Sequence, residues 1–229
     1  SFFIDDADFV FITGPSGSGK TTLLKLILKE YEPDNGEIVL DRKNASDINI
    51  KEIPKLRQSF GVVFQDFKVI PERTVRENVE VALAVTGLPK SEWKARVDHV
   101  LDLVELKERS EFFPSQLAGG ELQRVSLARA LVVNPKTILA DEPTGNLDWE
   151  TSDKLMDLFE KINKEGRTII MATHNKVIVE HLKKRRIELN GGKLVFDSDP
   201  KVSRKADKPE EVTTAEDKDK KKKEEGNLK

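Results

Sequence analysis

The 229-residue sequence predicts an α/β domain with a mixed core sheet, a small antiparallel β subdomain and a helical insertion. Three observations lead to that fold class. Apolar runs without alternation recur at residues 9–13, 61–64, 137–140 and 168–172, as strands covered on both faces require. Stretches of helical character separate those runs. Directly after the first run comes Gly14-Pro15-Ser16-Gly17-Ser18-Gly19-Lys20-Thr21, a glycine-rich loop that passes into a helix-forming segment beginning at Thr22.

The elements follow in order. Residues 1–4, Ser-Phe-Phe-Ile, read as the end of a strand, and Asp5-Asp6-Ala7-Asp8 as an acidic turn. The strand at 9–13 feeds the glycine loop and its helix. Residues 36–40 read as a strand of the smaller sheet. After the strand at 61–64, residues 74–106 are helical in character. Thr74 and Glu77 form a capping-box pair there, and Ser91 is placed to cap a second helix. Trp93, Val97, Val100, Leu101 and Val104 share one face of that helix and read as packing. The helical insertion spans 66–130. Strands at 137–140 and 168–172 follow, then a hairpin whose strands, 186–189 and 193–196, flank Asn190-Gly191-Gly192. From residue 198 the composition turns to Lys, Glu, Asp and Pro. The organisation expected is one domain over 1–197 and a disordered, solvated tail over 198–229, including the Lys220 to Lys223 block. The chain opens with Ser1 rather than Met, thirteen residues ahead of Gly14, and reads as a fragment without its N-terminus.

Composition narrows the function classes. No apolar run approaches the ~18 residues that span a bilayer, so the chain is expected to reach a membrane only through a partner. Cysteine is absent, which fits a reducing compartment. A net charge of −2 gives no basic field for nucleic acid.

The glycine loop carries the first piece of chemistry. Where side chains are missing, consecutive backbone N–H groups curl around phosphate oxygens at a positive helix N-terminus. Gly14, Pro15, Ser16, Gly17, Ser18, Gly19, Lys20, Thr21 and Thr22 are therefore candidate nucleotide-binding residues. Lys20 is placed to reach the β- and γ-phosphates and the Thr21 hydroxyl to hold Mg²⁺. A second piece follows the 137–140 strand: Asp141 can hold Mg²⁺ through water, and Glu142 can orient and deprotonate the attacking water. Gln65 and His174 close two further strands. An amide there can meet Mg²⁺ and water, and an imidazole can donate to a γ-phosphate. His99 and His181 fall within helical patterns and read as ordinary surface residues.

A third piece is Leu117-Ala118-Gly119-Gly120-Glu121, which opens a strong helix and makes another anion-binding terminus. Two phosphate sites for one nucleotide imply a dimer in which each chain completes its neighbour's site.

This set of motifs resembles the ATP-binding cassette (ABC) ATPases across residues 1–197. The resemblance implies a P-loop NTPase fold, ATP and Mg²⁺ as cofactors, and hydrolysis of ATP to ADP and phosphate. It makes Gln65 the Q-loop residue, Leu117 to Glu121 the signature, Asn146-Leu147-Asp148 the D-loop and His174 the switch histidine. The implied catalytic residues are Lys20, Gln65, Glu142 and His174. Thr21, Gln65 and Asp141 are implied as metal-binding, and Asp148 and the signature residues as contacts to a partner's ATP. Within the family, Phe64-Gln65-Asp66-Phe67, Pro71, the run Thr74 to Val79, Gly87-Leu88-Pro89-Lys90 and Met171-Ala172-Thr173-His174-Asn175 are similar to the bacterial cell-division branch. That branch implies a membrane partner like FtsX at the cytoplasmic face of the plasma membrane, regulation of cell-wall hydrolases and no nucleic-acid partner. Alternatives within reach are the ATPase of a lipoprotein-releasing or macrolide-type exporter, or an ATP-binding division scaffold.

Two departures stand out. Ala118 replaces the family's signature serine, so hydrolysis is expected to be slowed while Gly119 and Gly120 still offer backbone N–H groups. The aromatic residue that stacks on adenine lies further upstream in the family than this chain extends, so weaker nucleotide binding is expected.

Overall fold

The computed structural model describes residues 1–199. Its elements in chain order are β1 (Phe9–Thr13), α1 (Lys20–Ile27), β2 (Val39–Leu40), β3 (Lys43–Asn44), α2 (Ile53–Gln58), β4 (Phe60–Val63), α3 (Val75–Leu83), α4 (Lys90–Leu103), α5 (Gly119–Leu131), β5 (Thr137–Asp141), α6 (Trp149–Lys164), β6 (Thr168–Ala172), α7 (Lys176–Leu182), β7 (Arg185–Asn190) and β8 (Lys193–Asp197). The main sheet has the order β4-β5-β6-β1-β7-β8. Neighbours from β4 through β7 pair in parallel, and β8 pairs with β7 in antiparallel fashion. The sheet is therefore mixed, and β2 and β3 form a separate antiparallel pair.

Burial on both faces explains the unbroken apolar strands. Successive side chains of a strand point to opposite faces. In β1, Phe9 and Phe11 join the larger core with α3 to α6, and Val10 and Ile12 join a second core with Leu24, Ile27 and Leu28. Neither face meets water, so no polar alternation is needed. Val97, Val100, Leu101 and Val104 are buried in the first core, with Trp93 packed on its edge.

The Thr74 capping box forms, with the hydroxyl accepting from Glu77 N at 3.2 Å and Glu77 Oε2 accepting from Thr74 N at 2.8 Å. Asn190-Gly191-Gly192 closes the hairpin, both glycines having positive φ. The acidic turn forms too, with Asp8 N donating to Asp5 O.

Three expectations fail locally. Residues 1–4 join no strand; Phe2 and Ile4 pack by their side chains against the second core instead. The strand expected at 36–40 shrinks to Val39–Leu40 paired with β3; Ile38 O still accepts from Ala45 N at 2.7 Å, but there the facing chain turns away into a single 3-10 turn. As expected, residues 74–106 hold two helices, with Gly87 at φ +74° and Pro89 between them. Pro89, not Ser91, occupies the cap of α4, with Glu92 N donating to Pro89 O. Of the tail predicted over 198–229, Ser198 still bonds to the sheet, its N donating to Arg186 O at 2.9 Å and its Oγ accepting from Arg186 N at 2.8 Å, and residues 200–229 lie outside the described residues.

Parallel pairing carries the functional consequence. The C-terminal ends of β1, β4, β5 and β6 lie at one edge of the sheet, where ligands bind in open α/β folds. The loops that begin at Gly14, Gln65, Glu142 and His174 all leave from that edge.

Candidate nucleotide site

The loop between β1 and α1 turns under a steric requirement. Gly14, Gly17 and Gly19 hold φ of +144°, +75° and +101°. A Cβ on Gly14 would sit 2.1 Å from Leu189 O and 2.6 Å from Ser18 Oγ. Gly192 N donates to Ser18 O at 3.0 Å, so the β7–β8 turn props the loop from behind. Gly19 in the left-handed region caps α1, whose first helical bond is Leu23 N to Gly19 O, so the N–H groups of the first turn have no partner within the helix.

Lys20 opens α1, is buried, and folds its side chain back. Its Nζ donates to Gly14 O at 2.9 Å and Pro15 O at 3.1 Å. Nζ also lies 3.8 Å from Glu142 Oε1. That same carboxylate oxygen is 2.7 Å from His174 Nδ1, and Oε2 accepts from His174 N at 3.3 Å. A carboxylate oxygen accepts, so this bond places the proton on Nδ1. Glu142 stands at φ +48°, held there because its own N–H donates to Ala172 O.

Asp141 ends β5 beside these groups. Burial pushes its carboxyl above the ordinary range, and a hydrogen bond from Thr21 and the charge of Lys20 oppose that shift. Its Oδ1 is buried with no hydrogen-bond partner. An orphaned carboxylate oxygen next to a threonine hydroxyl is a vacancy in bonding that a hard cation fits. No three His, Cys, Asp or Glu side chains gather as a metal cage among the described residues.

Gln65 reaches the site through the loop after β5. Asn146 Nδ2 donates to Gln65 O at 3.0 Å and Gln65 Nε2 to Asn146 Oδ1 at 3.4 Å. Gly145 N donates to the backbone carbonyl of Glu142 at 3.0 Å, closing the turn that carries Asn146. The backbone behind Gln65 is pinned from α5. Gln123 Nε2 donates to Phe64 O at 3.1 Å, and Arg129 donates to the carbonyls of Phe67 and Lys68. Both of those residues are left-handed, at φ +58° and +52°, so the loop needs that support. Burial also lowers the Arg129 pKa.

The structure therefore joins Lys20, Glu142 and His174 directly, Asp141 to Thr21, and Gln65 through Asn146. It places the other expected residues elsewhere. Leu117 packs against the larger core. Glu121 turns back on its own helix, accepting Ala118 N at 2.9 Å; the reciprocal half of a capping box is missing because alanine has no acceptor. Asp148 caps α6, accepting Thr151 N at 2.9 Å and Oγ1 at 2.7 Å, which holds its carboxyl below the ordinary range. A Cβ on Gly119 would touch Leu147 and Phe67, and one on Gly120 would strike Thr151. Among the described residues no hydrogen bond or ion pair joins 117–121 to the loop over 14–21. Gly119 and Gly120 precede the first helical bond, Leu122 N to Ala118 O, so their N–H groups remain open to an anion. Gln123, Arg129 and Arg109, which lies beside Glu121, are supports that the sequence reading gave no role, and Asn146 entered it only as part of the D-loop.

A family model described as "ABC transporter" matches residues 1–145. The chain belongs to the ABC transporter family. The cell division ATP-binding protein FtsE of Bacillus subtilis is 51% identical over 197 residues, 86% of each chain. FtsE of Mycobacterium tuberculosis is 45% identical over 85% of this chain and 84% of its own. FtsE of Escherichia coli K12 is 40% identical over 85% and 87%. Among solved structures, the dimeric ATP-binding cassette MJ0796 in a post-hydrolysis state bound to ADP and Pi superposes with a TM-score of 0.76. It has 38% identity and covers 86% of this chain and 87% of that one. The structure of cbiO1 from Clostridium perfringens, part of the ABC transporter complex cbiONQ, reaches a TM-score of 0.81 at 32% identity, covering 89% of this chain and 82% of that one. Membership makes this chain an ATP-binding ABC ATPase.

Proposed function

We propose that this ABC ATPase is the FtsE-like, ATP-hydrolysing subunit of a bacterial cell-division complex. The observation that carries the reading is the shared carboxylate oxygen, Glu142 Oε1, reached by Lys20 at 3.8 Å and His174 at 2.7 Å. It brings the phosphate-binding cation, the general base and its orienting imidazole to one point.

When bound, Mg²⁺ would be held by Thr21, by Asp141 through water and by Gln65, and would offset negative charge on the transferred phosphoryl group. Lys20 leaves the carbonyls of Gly14 and Pro15 for the β- and γ-phosphate oxygens, exchanging two neutral acceptors for charged ones. Glu142 accepts the proton of the attacking water, and His174 keeps that carboxylate aimed through Nδ1–H; with both ring nitrogens protonated, Nε2–H can also donate to the γ-phosphate. Gln65 positions the water and is itself kept in place by Asn146.

The open N–H groups of Gly119 and Gly120, with Ala118 before them, fit a second copy's triphosphate. The functional unit is thus a head-to-tail homodimer, with Leu117 to Glu121 and Asp148 lying across from the neighbour's cradle. No helix among the described residues is long and apolar enough to cross a membrane. Work on the bilayer would pass to an integral membrane subunit like FtsX, from the cytoplasmic face of the plasma membrane. Cell-wall hydrolases outside would respond to it. This membrane role follows the names of the relatives, at 40–51% identity.

The test compares ATP hydrolysis by the native chain with Lys20→Ala, Glu142→Gln and His174→Ala. The proposal expects Glu142→Gln to bind ATP but not turn it over, and Lys20→Ala to lose binding. Turnover by Glu142→Gln near the native rate would reject the assignment.

A further inference from the structure

Glu121 poses an electrostatic problem. Its carboxylate lies in the first turn of α5, the end at which the partner's phosphate is proposed to dock, and one of its oxygens already occupies the Ala118 N–H. With no hydroxyl at position 118, an uncompensated anion there would repel the ligand that Gly119 and Gly120 must receive. Arg109 stands against the other oxygen, with Nε 3.4 Å from Glu121 Oε1. The guanidinium lies over the Phe112 ring, Cζ 4.7 Å from its centroid, which restricts where the long side chain can go. Arg109 is half-exposed and Glu121 mostly covered, so the pair is open to solvent on the arginine side. A pair in that setting adds little to fold stability. Its effect falls on the field at the helix terminus.

We infer that Arg109 is a positioning residue for the second ATP site, neutralising Glu121 and holding it on the Ala118 N–H so that the Gly119–Gly120 terminus can accept a partner's triphosphate. This rests on the head-to-tail dimer proposed above. Arg109 touches neither ATP nor the reacting atoms; it acts through Glu121.

The test uses the full chain carrying Glu142→Gln, so that bound ATP persists, and follows dimer formation by sedimentation as ATP and Mg²⁺ are titrated. Adding Arg109→Ala should raise the ATP concentration for half-dimerisation by roughly three- to tenfold, since one helix-terminal charge is altered at each of two sites. Arg109→Gln, which keeps bulk without charge, should do the same. ATP binding to the monomer, measured at protein concentrations too low to dimerise, should change by less than about twofold, because the Lys20 cradle is untouched. Adding Glu121→Gln removes the charge but keeps an acceptor for Ala118 N, so Arg109→Ala should then have no further effect. An Arg109→Ala chain that dimerises like its parent overturns the inference. So does a defect that persists in full beside Glu121→Gln, which marks a purely structural arginine. If the Glu142→Gln parent stays monomeric at saturating ATP, the dimer reading falls, and this inference with it.

Discussion

Gly120→Ala tests how closely the signature helix sits on its neighbour. A Cβ at that position would lie 2.2 Å from Thr151 Cγ2 on α6. Carbon atoms in ordinary contact stand about 3.5–4.0 Å apart, so one helix or one side chain must move by more than an ångström. Thr151 cannot simply rotate, because its Oγ1 donates to Asp148 Oδ2 at 2.7 Å and its χ1 is stiff. Overpacking of this kind costs about 1–3 kcal/mol, while replacing a helical glycine by alanine returns up to about 1 kcal/mol. The net expectation is a loss of about 1–2 kcal/mol. For a chain of this size that is a fall in Tm of roughly 2–8 °C. Thr151→Ser deletes the offending methyl and keeps the hydroxyl that Asp148 accepts. In that background Gly120→Ala should become neutral or stabilising. Urea unfolding of the four chains of this double-mutant cycle gives the coupling directly. Equal cost of Gly120→Ala in both backgrounds would refute the close approach of α5 and α6.

Four further outcomes follow from the site. Glu142→Gln should lower the hydrolysis rate by about 10²–10⁴-fold, the usual contribution of a positioned base, with ATP binding retained in equilibrium dialysis. Ala118→Ser should speed hydrolysis, since a hydrogen bond to a charged group contributes about 1.5–3 kcal/mol; an unchanged rate rejects that account of the missing hydroxyl. Arg129→Ala should destabilise the chain by about 2–3 kcal/mol in denaturant unfolding and slow turnover, as it frees the left-handed carbonyls behind Gln65. Asp148 has a carboxyl held below its ordinary 3.8 by Thr151, so its contribution to stability is present above that pH and is lost as pH falls through the lowered value. The stability difference between the native chain and Asp148→Ala should therefore shrink in acid and stay constant from pH 5 to 8.

How much was legible beforehand depended on whether a residue's role is local. The β1 and β6 boundaries matched the apolar runs, because a strand buried on both faces writes its burial into consecutive residues. The glycine loop was legible for the same reason, its φ requirements being met by adjacent residues. Glu142 and His174 were expected at one site, yet their 2.7 Å contact depends on β5 and β6 being neighbours, which no local pattern encodes. The hold of Asn146 on Gln65 spans 81 positions, and the Arg129 contacts span more than 60, beyond the reach of periodicity. Residues 1–4 misled because their composition suits a strand, while strand formation needs a backbone partner. Ser91 misled because a cap is decided by where the backbone turns, and Pro89 turns it first. Lys20 was expected to point at phosphate; here it satisfies itself on Gly14 and Pro15 carbonyls, the nearest acceptors.

The most direct measurement mixes two inactive chains. Lys20→Ala disables the cradle and keeps the signature, whereas Gly119→Glu blocks the signature and keeps the cradle. If one ATP is clamped between two copies, half the dimers in an equal mixture pair the intact cradle with the intact signature. Each such dimer regains one of its two symmetric sites, so hydrolysis should rise to about a quarter of the native rate. A mixture no faster than its two components measured apart would contradict the shared site.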